Sequence, residues 1–215
     1  MKRFFPAAAF CVFSLFGSAS AQVVVGNPIV DRAAIDTAQT MFVLSSQGFG
    51  AQAIGHEVVS WSYYSGSIGL MLTPVLFEYT GSGNNYIVRG IGASVTTTLG
   101  AHLDLPFNVV SGSATIANAN YFLGWKDGTP NTANVGSILL DYNSSSAGPD
   151  VLFVGSGVPS GIEVSDSFDF NGPLLERTYS ISATAVAVPE PSTAVALVAI
   201  VALGFAVWRR SLGKV

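Results

Sequence analysis

From Arg177 the chain runs Thr178-Tyr179-Ser180-Ile181-Ser182-Ala183-Thr184-Ala185-Val186, so that Tyr179, Ile181, Ala183 and Ala185 alternate with hydroxyl-bearing residues. A period of two places the apolar set on one face of a half-buried antiparallel strand. Upstream the same grammar recurs. Short apolar or alternating runs are separated by clusters of Gly, Ser, Thr and Asn, and no long stretch has helical periodicity. Candidate strands are 40–45, 57–64, 68–73, 75–79, 86–91, 94–99, 102–108, 121–125, 135–141 and 151–154, followed by the alternating run. Hairpin loops are expected at 81–85 and 127–131, where Gly, Asn and Asp tolerate positive φ or form Asx turns. A short helical turn is expected over 31–38, capped by Asp31 and favoured by Ala33, Ala34 and Ala38. Some ten strands in one domain of residues 22–188 predict an all-β fold, an antiparallel β-sandwich of jelly-roll type rather than a barrel.

The boundaries of that domain come from the two ends. Residues 1–21 have a basic start (Lys2, Arg3), an apolar stretch from Phe4 to Phe16 and the small-residue site Ala19-Ser20-Ala21 ahead of Gln22. That is the layout of a secretory signal peptide, to be removed after Ala21 by signal peptidase. An apolar run of about 13 residues also falls short of the roughly 20 that cross a bilayer. Cys11 follows Phe10, where a lipobox requires a small side chain, and leaves with the peptide.

At the other end, Val188-Pro189-Glu190-Pro191-Ser192-Thr193 precedes an apolar run from Ala194 to Trp208 and then Arg209-Arg210. Seventeen residues counted from Ser192 give about 25 Å of helix, a little under the ~30 Å hydrocarbon core. A transmembrane helix over about 192–208 is therefore expected to span, barely. Trp208 would lie at the interface, and the Arg pair with Lys214 would hold this end in the cytoplasm, which leaves the domain outside. The two prolines fix φ, lack an N–H and push their preceding residues toward extended backbone. A processing enzyme at the membrane would meet an extended strip bearing one carboxylate, Glu190.

Pro189-Glu190-Pro191, the apolar run and Arg209-Arg210, in that order, resemble the PEP-CTERM sorting signal of Gram-negative bacteria. The resemblance covers Val188 to the end, although Ser211-Leu212-Gly213-Lys214-Val215 makes a longer tail than the usual abrupt stop. It implies recognition by exosortase, a membrane-embedded processing enzyme. It further implies transient anchoring by the C-terminal helix, removal of that helix, and delivery of the body to the cell surface or the polysaccharide matrix of a biofilm. The sorting and processing residues are then Ala21, Pro189, Glu190, Pro191, Arg209 and Arg210, and residues 189–215 form the sorting segment.

For the domain itself, charge and composition exclude more than they assign. Residues 22–188 carry four cations (Arg32, Arg89, Lys126, Arg177) against twelve carboxylates, a net of −8, which cannot build a phosphate-neutralising patch; no nucleic-acid partner is expected. The segment has no cysteine, so disulfides, thiol catalysis and thiolate metal sites are out of reach. No Gly-x-Ser-x-Gly window and no phosphate-binding Gly loop occurs. His56-Glu57 begins like a zinc-protease motif, but Ser60 stands where the second histidine belongs, and His56 is expected to enter a strand with its ring at the surface.

Paired carboxylates would suit a glycoside hydrolase, and Asp166 with Asp169 or Glu57 with Glu78 are candidates, yet twelve carboxylates on one domain make some neighbours by chance. No metal site and no cofactor are expected; Ca2+ is the one ion with candidate ligands, from Asp127, Asn131, Asp141, Asn143 and Asp150, without Asp-x-Asp-x-Asp spacing. Alternation puts Trp61 and Tyr63 on one face of their strand, opposite Tyr64. An exposed Trp61–Tyr63 pair would stack on sugar rings; the preferred alternative is that Trp61 fills the core. The expectation is an exported, non-enzymatic surface or matrix protein, with a carbohydrate-binding module as the rival and a glycan-active enzyme third.

Overall fold

A computed structural model describes residues 21–35, 41–128, 137–142, 151–154, 161–172, 177–188, 199–205 and 208–209. Its strands, in chain order, are β1 (Gln22–Gly26), β2 (Ala34–Ile35), β3 (Met41–Gly48), β4 (His56–Ser65), β5 (Met71–Tyr79), β6 (Asn85–Gly92), β7 (Val95–Thr96) and β8 (Gly100–Pro106). They continue with β9 (Val109–Gly112), β10 (Tyr121–Asp127), β11 (Leu139–Tyr142), β12 (Leu152–Val154), β13 (Ser167–Asp169), β14 (Arg177–Tyr179) and β15 (Ile181–Ala187). A four-stranded sheet runs β1-β15-β4-β8, and an eight-stranded sheet runs β12-β3-β10-β5-β6-β13 with β7 and β9 attached to β5 and β6. A small sheet runs β14-β11-β2. Every ladder between these strands is antiparallel.

One apolar cluster joins the two large sheets. Val25, Val58, Trp61, Ile181, Ala183 and Ala185 enter it from the four-stranded sheet, and Phe42, Leu44, Leu76, Leu123 and Trp125 from the other. A second cluster covers the opposite face of the eight-stranded sheet. There Met41, Val43, Val75, Phe77 and Val88 meet Phe170, with Ile162, Val164 and Phe168 packed against them. Two covered faces explain why Met41-Phe42-Val43-Leu44 and Val75-Leu76-Phe77 are continuous apolar runs, whereas β15 alternates as a strand with one covered face must. The covering segment is held by Ser165 N–H donating to the Val88 carbonyl and Val88 N–H donating to that of Asp166, each at 2.9 Å.

The alternating run of 178–186 is a strand in substance but divides at Ser180. Residues Arg177–Tyr179 pair with β11 in the small sheet, and Ile181–Ala187 pair with β1 and β4. Ser180 itself is buried and forms the joint. Its hydroxyl donates to the Val30 carbonyl at 2.7 Å and accepts from Arg32 Nε at 2.6 Å. Arg32 also pairs with Asp141 at 2.8 Å, so the joint, the small sheet and the segment after β1 are tied together.

Several expectations need correction. Ala34 and Ile35 form β2 rather than a helical turn, because β11 offers them a ladder and tertiary pairing outweighs alanine's preference; residues 36–38 lie outside those described. The candidate strands 68–73 and 75–79 are not separate, because β5 (Met71–Tyr79) runs through Pro74. Pro74 stands where the partner on one side changes from β7, opposite 71–72, to β6, opposite 75–79. His56 is buried, not surface-facing, and neither ring nitrogen has a partner. At the C-terminus residues 199–205 and 208–209 are helical and exposed. Among the described residues no helix is long and apolar enough to cross a membrane, so a span over 192–208 lacks support there, and 192–198 lie outside the described residues.

Candidate functional site

The two ends of the domain meet on the four-stranded sheet. β1 pairs with β15 in register Gln22↔Val186 through Gly26↔Ser182, and Ala187 N–H donates to the Ala21 carbonyl at 3.3 Å. Ala187 is also opposite His56 on β4. Ala21, the expected signal-peptide junction, thus lies beside the residue that leads into Val188 and Pro189. Pro189, Glu190, Pro191 and Arg210 lie outside the described residues, while Arg209 is helical and exposed. The juxtaposition of Ala21 with Ala187 carries no local sequence signal, since it follows from which strands pair.

Trp61 and Tyr63 do not form an exposed platform. Each is 1% exposed, and their rings stack on one another at 4.9 Å inside the shared core, with His102 stacked on Tyr63 at 4.6 Å. Burial also pushes the Tyr63 hydroxyl above its ordinary pKa. The physical cause is a bulge. Ala185 faces Val58 while Thr184 faces Ser60, so Val59 is an extra residue that shifts the alternation and brings Trp61 to the same face as Val58.

Half-buried Tyr79 and Phe122 gather elsewhere, around buried Tyr86. A recess of about 320 Å³ beside the second cluster is lined by Ser45, Tyr79, Gly83, Asn84, Tyr86, Phe122 and Leu152. β5, β6 and β10 bring the rings together, with Tyr79 and Tyr86 at 5.3 Å and Tyr86 and Phe122 edge to face at 5.6 Å. Burial, then the neighbouring Tyr79, pushes the Tyr86 hydroxyl up to about 12, so it remains a neutral donor at physiological pH. The expected hairpin loop at 81–85 forms one wall through Gly83 and Asn84. A sequence signal existed in Tyr79 and Tyr86 flanking that loop, but Phe122 arrives only through pairing of β10 with β5.

The four candidate carboxylates lie on different elements. Glu57 lies on β4 in the four-stranded sheet and Glu78 on β5 in the other. Glu78 is committed to Arg89 Nε at 2.5 Å and to Asn118 Nδ2 at 2.6 Å. Asp166 closes a turn by accepting from Glu163 N–H at 2.7 Å, and Asp169 lies on β13. Of the candidate calcium ligands, Asp141 is paired with Arg32 and accepts from Ala33 N–H, and buried Asp127 accepts from the Ser137 hydroxyl. Asn131, Asn143 and Asp150 lie outside the described residues. Among the described residues no group of three or more His, Cys, Asp or Glu could hold a metal ion.

Glu78 gives a pH prediction. Burial pushes its carboxyl up, but hydrogen bonds from Asn118 and Arg89 and the Arg89 charge together outweigh that and hold it below its ordinary 4.5. A depressed folded-state value means the pair contributes stability above about pH 4.5 and loses it as the pH falls through the folded value. Glu78→Gln is expected to cost about 1 kcal/mol at pH 7, kept small because Arg89 is partly solvated, and the difference should close in acid. Urea midpoints of both proteins between pH 7 and pH 3 check it; a gap that persists in acid would assign the loss to packing.

No curated protein matches this chain, and no solved structure does. One family model does: residues 187–211 match the PEP-CTERM protein-sorting motif, so the segment that leaves β15 is a PEP-CTERM sorting segment.

Proposed function

We propose that this chain is an exported protein whose β domain is carried across the cytoplasmic membrane, processed at its sorting segment by an exosortase-type enzyme, and left at the cell surface or in the surrounding polysaccharide matrix as a non-enzymatic component. The single observation that carries the reading is the sorting motif over 187–211. Its position supports it as well, since the motif begins at the last residue of β15, and its described residues 188, 199–205 and 208–209 are exposed. In this reading residues 1–21 are the signal peptide, the body is a β-sandwich of jelly-roll type, and the segment over 192–208 anchors the chain until it is cut. Antiparallel ladders and the core shared by two sheets support the sandwich. Intact mass spectrometry of the surface fraction tests the processing. The expected product begins at Gln22 and ends near Pro189-Glu190-Pro191. A product that retains Trp208 and Arg209 in a strain with active exosortase would make the segment a permanent anchor.

A second reading, a carbohydrate-binding module, is favoured by the recess rather than by Trp61. Tyr79 and Phe122 line it with aromatic carbon that suits the C–H faces of a sugar, and Asn84 is an amide beside them. Saturable binding to a polysaccharide panel that is lost in Tyr79→Ala and Phe122→Ala, with the melting temperature unchanged within a few degrees, would establish it. Binding by neither the parent protein nor its variants leaves the structural-component reading in place.

A further inference from the structure

β1 has one ladder partner among the described residues, and that partner is the final strand of the domain. In the order β1-β15-β4-β8 it lies at an edge and meets only β15. Two hydrogen bonds fix which backbone groups enter the ladder: Asn27 N–H donates to the Ile181 carbonyl at 2.8 Å, and Ala187 N–H donates to the Ala21 carbonyl at 3.3 Å. In an antiparallel pair every second residue faces its partner, so residues 21, 23, 25 and 27 turn their N–H and C=O groups toward β15. The Ala21 carbonyl is therefore inside the ladder, and no spacer separates the expected junction Ala21–Gln22 from the folded sheet.

Hydrolysis of that junction requires the same carbonyl. Water adds at the Ala21 carbonyl carbon, the C–N bond to Gln22 breaks, Ala21 departs with the leader as a carboxylate, and both protons of the water end on the Gln22 nitrogen, which leaves as an ammonium. A peptidase must accept the carbonyl oxygen in its own oxyanion-stabilising donors and hold the flanking residues extended. An oxygen bonded to Ala187 N–H in a closed sheet is not available for that.

We propose that pairing of β1 with β15 closes the leader junction to its peptidase, so that leader removal precedes completion of the four-stranded sheet. The inference rests on reading residues 1–21 as a removed leader. The topology supplies the interval in which cleavage occurs: β1 leaves the membrane first, and its partner, residues 181–187, becomes available only after nearly the whole domain has been exported. Until then the junction has no ladder to join. The edge position also means that β1 can dock last without disturbing β4 and β8.

The full-length chain in detergent, with purified leader peptidase, tests this. Pre-folded chain is expected to be cut at Ala21–Gln22 at least ten-fold more slowly than the same chain added from urea directly to the peptidase. Val25→Pro removes an N–H that faces β15 and should restore rapid cutting, whereas Val24→Pro, whose N–H faces away, should not. If Val25→Pro fails to fold as a whole, a reversible lock decides instead. Val24 and Thr184 are directly opposite as a non-hydrogen-bonded pair, a spacing that a disulfide spans, so both are changed to Cys in a Cys11→Ser background. Residual cutting of the pre-folded chain should vanish on oxidation and return on reduction. Equal rates for pre-folded and urea-diluted chain, or cutting indifferent to the lock, would overturn the proposal. Absence of cleavage at Ala21–Gln22 in every state, the urea-diluted chain included, would instead overturn the leader reading on which it stands.

Discussion

A fragment of residues 22–176 is expected not to fold, whereas 22–188 should unfold cooperatively and give a strand-dominated dichroism spectrum. The difference is twelve residues. They contain β14 and β15, and β15 is a central strand, hydrogen-bonded to β1 on one side and β4 on the other. Ile181, Ala183 and Ala185 are at most 1% exposed, and the Tyr179 ring lies 5.2 Å from that of Phe42 and 5.0 Å from that of Trp125. Burial of a large apolar side chain is worth about 1.5–3 kcal/mol, so Ile181 and Tyr179 alone represent roughly 3–6 kcal/mol of a total near 5–15. Deletion also leaves β1 without its ladder and exposes the edge of β4, which invites aggregation. Size exclusion and urea titration of the two fragments check this. A soluble, cooperative 22–176 would mean that 177–188 is a linker and that the pairing with β1 and β4 is dispensable.

The importance of that strand was legible because its alternation is unbroken and its outward residues are Ser and Thr. Its division at Ser180 was not, since a serine fits the alternation equally well whether the chain continues or changes sheets. β3, β5, β6 and β10 were legible from apolar runs bounded by turn residues. β1, β9 and β13 were passed over for different reasons. Gln22–Gly26 adjoins the signal peptide and reads as its continuation, Val109–Gly112 is exposed throughout, and Ser167–Asp169 places one half-buried residue between two exposed ones. β9 and β13 have no pattern that local sequence can display, and each is paired with β6; β1 has a β-branched Val run that its place beside the signal peptide obscures.

The sorting end was legible because its information is local. Pro189-Glu190-Pro191, an apolar run and an Arg pair occur in sequence order, and the match over 187–211 confirms that reading. Sites in the domain depend instead on register, which a single inserted residue reverses. Val59 is such a residue, and the consequence is that Trp61 and Tyr63 stack within the core. Strand pairing, which local sequence does not display, places Glu57 and Glu78 in different sheets although both sit in strands of similar appearance.

Gly124 should be one of the least tolerant positions in the eight-stranded sheet. It lies in β10 between β3 and β5, opposite Val43 and Val75. A Cβ there would fall 2.3 Å from the Phe42 carbonyl oxygen and 2.4 Å from the Phe77 ring. The ring could rotate, but the carbonyl belongs to the backbone of β3 and can retreat only if the two strands part. Gly124→Ala is therefore expected to destabilise the domain by about 3 kcal/mol or more, seen as a fall of roughly 10 °C in melting temperature. Two controls separate this from a generic cost of alanine. Gly161→Ala meets nothing within 4 Å and should be nearly silent. Adding Phe77→Leu to Gly124→Ala should not rescue it, because relief of the ring contact leaves the carbonyl contact in place. Recovery of the melting temperature in the double variant would show that Phe77 alone imposes the glycine and that the approach of β3 to β10 has slack.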